Sequence, residues 1–340
     1  MAGITGQGTT YNLPNFVGEL HGVSPEDTPL LSAIGGLTGG RSANGSTVFT
    51  WQTYDLRDAD DSRQRTEGAN APQAEGRVRG NDYNVLEIHQ EAAEVSYTKL
   101  AATNVVGTVA GGKSVLGAQP VQDELSWQVA QALKQVARDV EKGFITGQRT
   151  LPSDNSSPRK TGGLIEAIER GQVVNGTTKS NVVEVEFDSG SGTFAAALTE
   201  DDVLDLMQMV WDNGGLVEGE TRTLITNSTL KRALTKLFIK DRNYQEVSRN
   251  VGGVNLQTIE TDFGRVNIML DRYMPADKLV VASLNELAPV YLEIPGKGHF
   301  FAEPLAKNGA AERVQLYGEI GLEFGAALHH GLIKFTDTAA

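Results

Sequence analysis

Residues Gln119–Gly147 read QPVQDELSWQVAQALKQVARDVEKGFITG, and Arg313–Phe324 read RVQLYGEIGLEF. In the first stretch Val121, Leu125, Val129, Leu133, Val136, Val140 and Phe144 recur every three or four residues, the stripe of one amphipathic helix. At 1.5 Å per residue that helix is roughly 40 Å long. In the second stretch Val314, Leu316, Ile320, Leu322 and Phe324 alternate with Arg313, Gln315, Glu319 and Glu323. The apolar set therefore lies on one face of a strand roughly 35 Å long. A helix and a strand of this length suit an elongated subunit that offers edges to neighbours better than a globule wrapped around a pocket.

The 340 residues are enough for two domains or one large one, and 39% apolar content supports a sizeable core. A net charge of −13 argues against a protein that coats nucleic acid, which needs clustered Lys and Arg to displace counterions. It is compatible with enclosing a polyanion, because an acidic wall lets one pack without sticking. There is no cysteine, which removes disulfides and thiolate metal sites. The start, MAGITGQ, has neither the basic region nor the apolar core of a signal peptide, and no apolar run approaches the roughly 18 residues of a membrane span. The sequence thus predicts cytosolic production and no membrane partner.

Residues 1–45 are rich in Gly, Thr, Asn and Pro, with apolar residues only in short groups. Such a segment cannot make its own core and reads as an arm laid on another surface, with Phe16, Leu20, Leu30 and Leu31 as its anchors. Residues 46–93 read as a long hairpin: Val48–Tyr54 outward, Tyr83–Ile88 back, and a polar run between them. Hairpin turns are usually two to five residues, so a loop of this length has its task outside the subunit. It carries Arg57, Asp58, Asp60, Asp61, Arg63, Arg65, Arg77 and Arg79, with Glu67 and Glu75, and no lysine. Arginine forms bidentate pairs with carboxylates and suits interface ion pairs better than lysine.

Beyond the long helix the pattern is mixed. Thr199 with Asp202 is a capping signal for a helix bearing Val203, Leu206, Met207 and Val210; Thr221–Thr226 reads as a buried strand. Asn227 or Ser228 caps the next helix, and a hairpin turns at Asp262-Phe263-Gly264. The sequons at Asn44, Asn155, Asn175 and Asn227 read as loop residues and caps.

Gly107-Thr108-Val109-Ala110-Gly111-Gly112-Lys113-Ser114 fits the phosphate-cradling pattern G-x-x-x-x-G-K-[ST] in full, and Ile268-Met269-Leu270-Asp271 could end in a magnesium carboxylate. Against that reading, Gly117 and Pro120 fall where the following helix should run. Asp58-x-Asp60-x-Ser62 opens like a calcium loop but has Arg63 where glycine is required. His329 and His330, adjacent in a strand, point to opposite faces, and no carboxylate is in register with them. No nucleophile elbow is present. These residues predict no catalytic site, no cofactor and no metal.

Asn12-Leu13-Pro14-Asn15-Phe16-Val17-Gly18-Glu19-Leu20 and Ser24-Pro25-Glu26-Asp27-Thr28-Pro29-Leu30-Leu31-Ser32-Ala33-Ile34-Gly35 resemble the N-terminus of a family of tailed-bacteriophage major capsid (major head) proteins. Glu141-Lys142-Gly143-Phe144-Ile145-Thr146-Gly147, then Arg159 and Thr161-Gly162-Gly163-Leu164, are similar to the same proteins, as are Thr261-Asp262-Phe263-Gly264-Arg265 and Met274-Pro275. The resemblance implies an α+β fold with an N-terminal arm (1–45), an extended E-loop (46–93) and a peripheral domain (94–160) built on a spine helix (118–147). An axial domain (161–295) and return strands of the peripheral domain (296–340) complete it.

The resemblance further implies a non-enzymatic virion protein, made in the host bacterial cytoplasm. It would assemble with itself into hexamers and pentamers around double-stranded DNA, without sequence-specific binding. Some capsids of this fold weld the E-loop to a neighbour through a lysine, and residues 46–93 contain none. Some carry a long helical scaffolding segment at the N-terminus, which this arm is too short to supply, so assembly would need a separate scaffold protein or none; the resemblance gives separate scaffold, portal and decoration proteins as the expected partners. Two alternatives stand beside this reading: a P-loop NTPase using Gly107–Ser114, and an encapsulin-type bacterial compartment.

Overall fold

The computed structural model describes residues 24–57, 59–77, 79–104, 123–190, 192–217, 222–240, 257–307 and 309–339. They fall into two compact units. The smaller comprises the described parts of Gln90–Val136 and Ala302–Tyr317 with the stretch ending at Asp27; the larger comprises Thr28–His89, Ala137–Phe301 and Gly318–Ala340.

Helix α1 (Pro29–Ile34) leads into β1 (Arg41–Ser42), β2 (Val48–Tyr54), β3 (Arg79–Val85) and β4 (Glu87–Ser96), then α2 (Tyr97–Asn104) and the long helix α3 (Glu124–Thr146). After α4 (Leu164–Arg170) come β5 (Gln172–Val174), β6 (Thr177–Lys179), β7 (Val182–Phe187), α5 (Phe194–Ala197), α6 (Glu200–Asp212), β8 (Arg222–Thr226) and α7 (Ser228–Thr235). The chain ends through β9 (Thr258–Thr261), β10 (Gly264–Leu270), β11 (Lys278–Ser283), β12 (Ala288–Tyr291), β13 (Phe300–Pro304), β14 (Ala311–Glu323) and β15 (Gly331–Asp337).

The described part of the long helix opens at Glu124 because Asp123 caps it. The Asp123 carboxylate accepts the Leu125 N–H at 3.1 Å and the Ser126 hydroxyl, and its carbonyl accepts the Trp127 N–H. The sequence reading began this helix at 118; residues 118–122 lie outside the described residues. Val136, Val140 and Phe144 are buried, whereas Leu133 is 41% exposed. At the far end the Gly163 N–H donates to the Gly147 carbonyl at 2.9 Å. A Cβ at Gly163 would lie 2.7 Å from the Gly147 nitrogen, so only glycine permits this crossing.

The long strand β14 is the spine of a five-stranded sheet in the order β1-β12-β14-β13, with β4 also paired to β14. Its pairing with β12 is antiparallel, with Val290 opposite Gly321 and Tyr291 opposite Ile320. A second, six-stranded sheet runs β7-β15-β11-β8-β10-β9. Its central strand β8 is buried along its whole length, as its lack of polar alternation requires. Helix α6 opens with a reciprocal capping box between Thr199 and Asp202 and buries Val203, Leu206, Met207 and Val210 in one core with Leu224, Val281, Ile333 and Phe335. Asn227 caps α7 by accepting the Leu230 N–H at 2.9 Å.

Residues 296–340 contribute strands to both sheets. β13 and β14 lie in the five-stranded sheet, but β15 is inserted between β7 and β11 in the other. Gly325, at φ 61°, and a 3-10 turn at Ala327–His329 redirect the chain between them. Leu332 and Ile333 are adjacent and both fully buried, which suits an interior strand covered on both faces. The same turn corrects the reading of the histidine pair. His329 lies in the turn, where its Nδ1 pairs with the Glu286 carboxylate, and buried His330 bridges the Ser283 N–H and the Phe324 carbonyl.

Phe144 is fully buried near the end of the long helix. Phe144→Ala should lower unfolding free energy by about 3–5 kcal/mol, read as a reduced midpoint with unchanged slope in urea denaturation.

Candidate functional site

Strands β2 and β3 form a two-stranded antiparallel ribbon, from Val48 opposite Val85 at the base to Tyr54 opposite Arg79 at the outer end. The base is tied down. Phe49 is buried, the Trp51 indole N–H donates to the Gly325 carbonyl at 2.7 Å, and its ring meets Phe324 edge-on at 4.7 Å. Asn84 is fully buried with both ends of its amide engaged. Nδ2 donates to the Gly162 and Leu322 carbonyls at 2.9 and 2.7 Å, and Oδ1 accepts the Gly162 and Val85 N–H groups at 2.8 and 2.9 Å.

Two arginines brace the ribbon from the side. The Arg149 guanidinium sits 4.1 Å from the Tyr83 ring centroid and donates to the Tyr83 carbonyl at 2.7 Å. Arg170 pairs with Asp82 at 3.2 Å. A further tie comes from the β5–β6 hairpin, whose two turn residues, Asn175 and Gly176, have φ of 49° and 80°. The Asn175 N–H donates to the Asp55 carboxylate at 2.8 Å, just where the ribbon ends.

Beyond Asp55 the chain has no regular structure until Arg79 among the described residues, and Tyr54 and Leu56 are 75% and 70% exposed. Arg63 is the organising residue of this loop, reaching Glu75 at 2.6 Å and Asp60 at 3.6 Å. Asp60 in turn accepts the Ser62 N–H and hydroxyl at 2.9 and 2.6 Å. The Ser62 hydroxyl holds the Asp60 carboxyl below its usual range, the Arg63 hydrogen bond does the same for Glu75, and Glu75 raises Arg63. All three groups face solvent, so these shifts mark geometry more than stability.

Of the sequence-predicted loop residues, Asp60 and Arg63 are brought together. Arg57 and Arg77 join Arg63 and Glu75 around a concavity of about 620 Å³. Asp61 and Arg65 are exposed, Arg79 reaches across the ribbon to Gln52 at 3.0 Å, and Asp58 lies outside the described residues. The residues that fix the base, Asn84, Arg149 and Arg170, were not singled out from sequence. Asn84 carried a signal, a polar residue between Tyr83 and Val85 in an otherwise strand-like run, but nothing local names its partners.

Of the arm residues, Leu30 and Leu31 are buried, while Phe16 and Leu20 lie outside the described residues. Pro29 opens α1, and the next two N–H groups, of Leu30 and Leu31, donate to the two oxygens of Glu141 on α3 at 2.8 and 2.6 Å. The nucleotide-type segment Gly107–Ser114 lies outside the described residues. Asp271, the carboxylate considered with it, is 2% exposed and accepts the Tyr273 N–H at 2.8 Å. Among the described residues no group of three or more His, Asp or Glu is placed to hold a metal ion, and no helix is long and apolar enough to cross a membrane.

Comparison with known proteins places this architecture. The chain is 24% identical to the major capsid protein of Escherichia phage Phieco32 over 91% of its length and 90% of the relative's. Its fold is similar to the capsid of cyanophage A-1(L), with a TM-score of 0.65 at 13% identity over 99% of this chain and 100% of that one. A looser likeness, TM-score 0.53 at 12% identity over 95% and 91% of the two chains, links it to the SrpI encapsulin of Synechococcus elongatus PCC 7942. The model of the SU10 major capsid protein family matches residues 3–338, nearly the whole chain, and the chain therefore belongs to that family of phage major capsid proteins.

Proposed function

We propose that this chain is the repeating subunit of an icosahedral phage head, set in hexamers and pentamers around double-stranded DNA. The observation that carries the proposal is the family match from residue 3 to residue 338. As a member of that family the chain is a virion capsid component that assembles with its own copies; its role is structural. The finer picture is our reading: synthesis in the host bacterial cytoplasm, and separate scaffold, portal and decoration proteins. In this reading, residues 1–45 act as the arm, 46–93 as the E-loop, and the larger six-stranded sheet as the body of the axial domain. The likeness to an encapsulin supports the shared fold alone.

The extended loop is the proposed contact between subunits. Its base is held by a buried polar group, Asn84, while Tyr54, Leu56 and Arg65 are exposed, an arrangement suited to lying over a neighbour. Arg57, Asp58, Asp61, Arg65 and Arg77 would meet complementary charges there, setting register and specificity more than affinity. Arg63 and Asp60 have a different part, since their partners lie within the loop itself. Net charge of −13 supports enclosing DNA without adhering to it.

Electron microscopy of the purified chain, with and without co-expressed phage proteins, tests the proposal directly. Closed shells or free hexamers and pentamers are the expected result; a monomer under every condition would overturn it. Arg65→Glu should leave the unfolding midpoint unchanged and raise the subunit concentration needed for assembly about fivefold, the equivalent of roughly 1 kcal/mol. Wild-type assembly by that variant would exclude the loop as an intersubunit contact. Lys113→Ala should assemble normally and bind ATP no differently from wild type in equilibrium dialysis, whereas loss of measurable ATP binding would favour the nucleotide-binding alternative.

A further inference from the structure

Glu141 and Asp271 are two buried carboxyl groups in contact. Glu141 is fully buried on α3, and Asp271, 2% exposed directly after β10, lies within hydrogen-bonding reach of it. Their surroundings leave one position unfilled. The Glu141 oxygens accept the Leu30 and Leu31 N–H groups, and Asp271 Oδ1 accepts the Tyr273 N–H, but buried Asp271 Oδ2 has no donor among the described residues. Two ionised carboxylates side by side in a dry site would repel, whereas one proton between them removes a charge and supplies the missing donor.

We propose that Glu141, as the neutral acid, donates its O–H to Asp271 and forms a latch that holds helix α1, the inner end of the arm, on the long helix α3. The latch links three elements far apart in sequence: α1 through its first free N–H groups, α3 through Glu141, and the end of β10 through Asp271. Arg138, one turn before Glu141, strengthens the same junction by donating its Nε–H to the Tyr273 hydroxyl at 2.8 Å. Besides the pair itself, the ionisable groups tied to this junction by hydrogen bonds are Arg138 on α3 and Tyr273 after β10. Helix α1 contributes none, and the end of β8 brings the uncharged Thr226, whose carbonyl accepts the Asp271 N–H at 2.9 Å.

The direction of the pH response follows. Burial, reinforced by Asp271, pushes the Glu141 carboxyl up from 4.5 to about 8. The closed latch therefore holds more protons than the open one between those values, so its stability is greatest below about 4.5, falls as pH rises through the window, and levels off above about 8. The arm helix is held most tightly in acidic solution and loosens progressively as pH rises to about 8, the reverse of the ordinary carboxylate, whose contribution is lost on acidification.

Hydrogen exchange on the unassembled full-length chain tests this without reference to shell formation. After correction for intrinsic rates, protection of the Leu30 and Leu31 amides should fall by up to about tenfold per pH unit between pH 5 and 8. The β11 amides report global unfolding over the same range. Asp271→Asn places an N–H donor where Oδ2 stands and keeps Oδ1 for Tyr273, so its protection should be nearly independent of pH. Glu141→Gln, which cannot titrate, should also be flat and covers the case in which the first variant fails to fold. A flat wild-type profile, or a wild-type slope retained in either folded variant, would overturn the proposal.

Discussion

Asn84 is the constraint on which the larger unit depends. Its amide joins the return strand of the ribbon to Gly162, beyond the long helix, and to Leu322 near the end of the long strand. The junction is doubled by Thr161, whose hydroxyl accepts the Leu322 N–H at 3.3 Å and whose own N–H donates to Glu87 at 3.1 Å. A buried backbone group without a partner costs about 1–3 kcal/mol, so polar side chains that satisfy several at once set how these segments can meet. The crossing also needs the bare backbone at Gly147 and Gly163, since a Cβ there would displace one of the segments.

From that fixed point the exposed loop gains its character. A contact loop anchored only by apolar residues could rotate about its base. Here Trp51, Asn84, Arg149, Arg170 and the Asp55–Asn175 hydrogen bond fix it at several points along the ribbon. Arg63, Glu75 and Asp60 then order the loop from within. Pre-organisation of this kind would reduce the entropy lost in the intersubunit contact proposed for this loop. Arg41–Glu323 and Arg159–Glu319 extend the same logic along β14, the second of them with its carboxylate buried.

The parts that were legible in the sequence share one property: their signal is local and periodic. The long helix, the alternating strand, the Thr199–Asp202 capping box, the Asn227 cap and the Asp262-Phe263-Gly264 turn each follow from neighbours a few residues apart. What was not legible depended on pairing at long range. Leu332-Ile333 announces a buried strand but not that it enters a sheet between β7 and β11. His329 shows no carboxylate within reach in sequence, yet Glu286 is its partner. Arg63 was read as one among many loop charges, and its pairing with Glu75 twelve residues on depends on how the loop folds back.

The sequence alone therefore determined the class of the chain. Periods of 3.6 and 2 residues mark the long helix and strand of an α+β chain, and the arm motifs carry the resemblance to phage major capsid proteins, because each is encoded in residue types and near spacing. Tertiary structure decided which buried polar groups meet. Asn84 finding Leu322, Arg159 finding Glu319 and Glu141 finding both α1 and Asp271 join residues separated by more than a hundred positions. No local pattern encodes such partners, since they are selected by the requirement that every polar group taken from water recover a hydrogen bond in the folded chain.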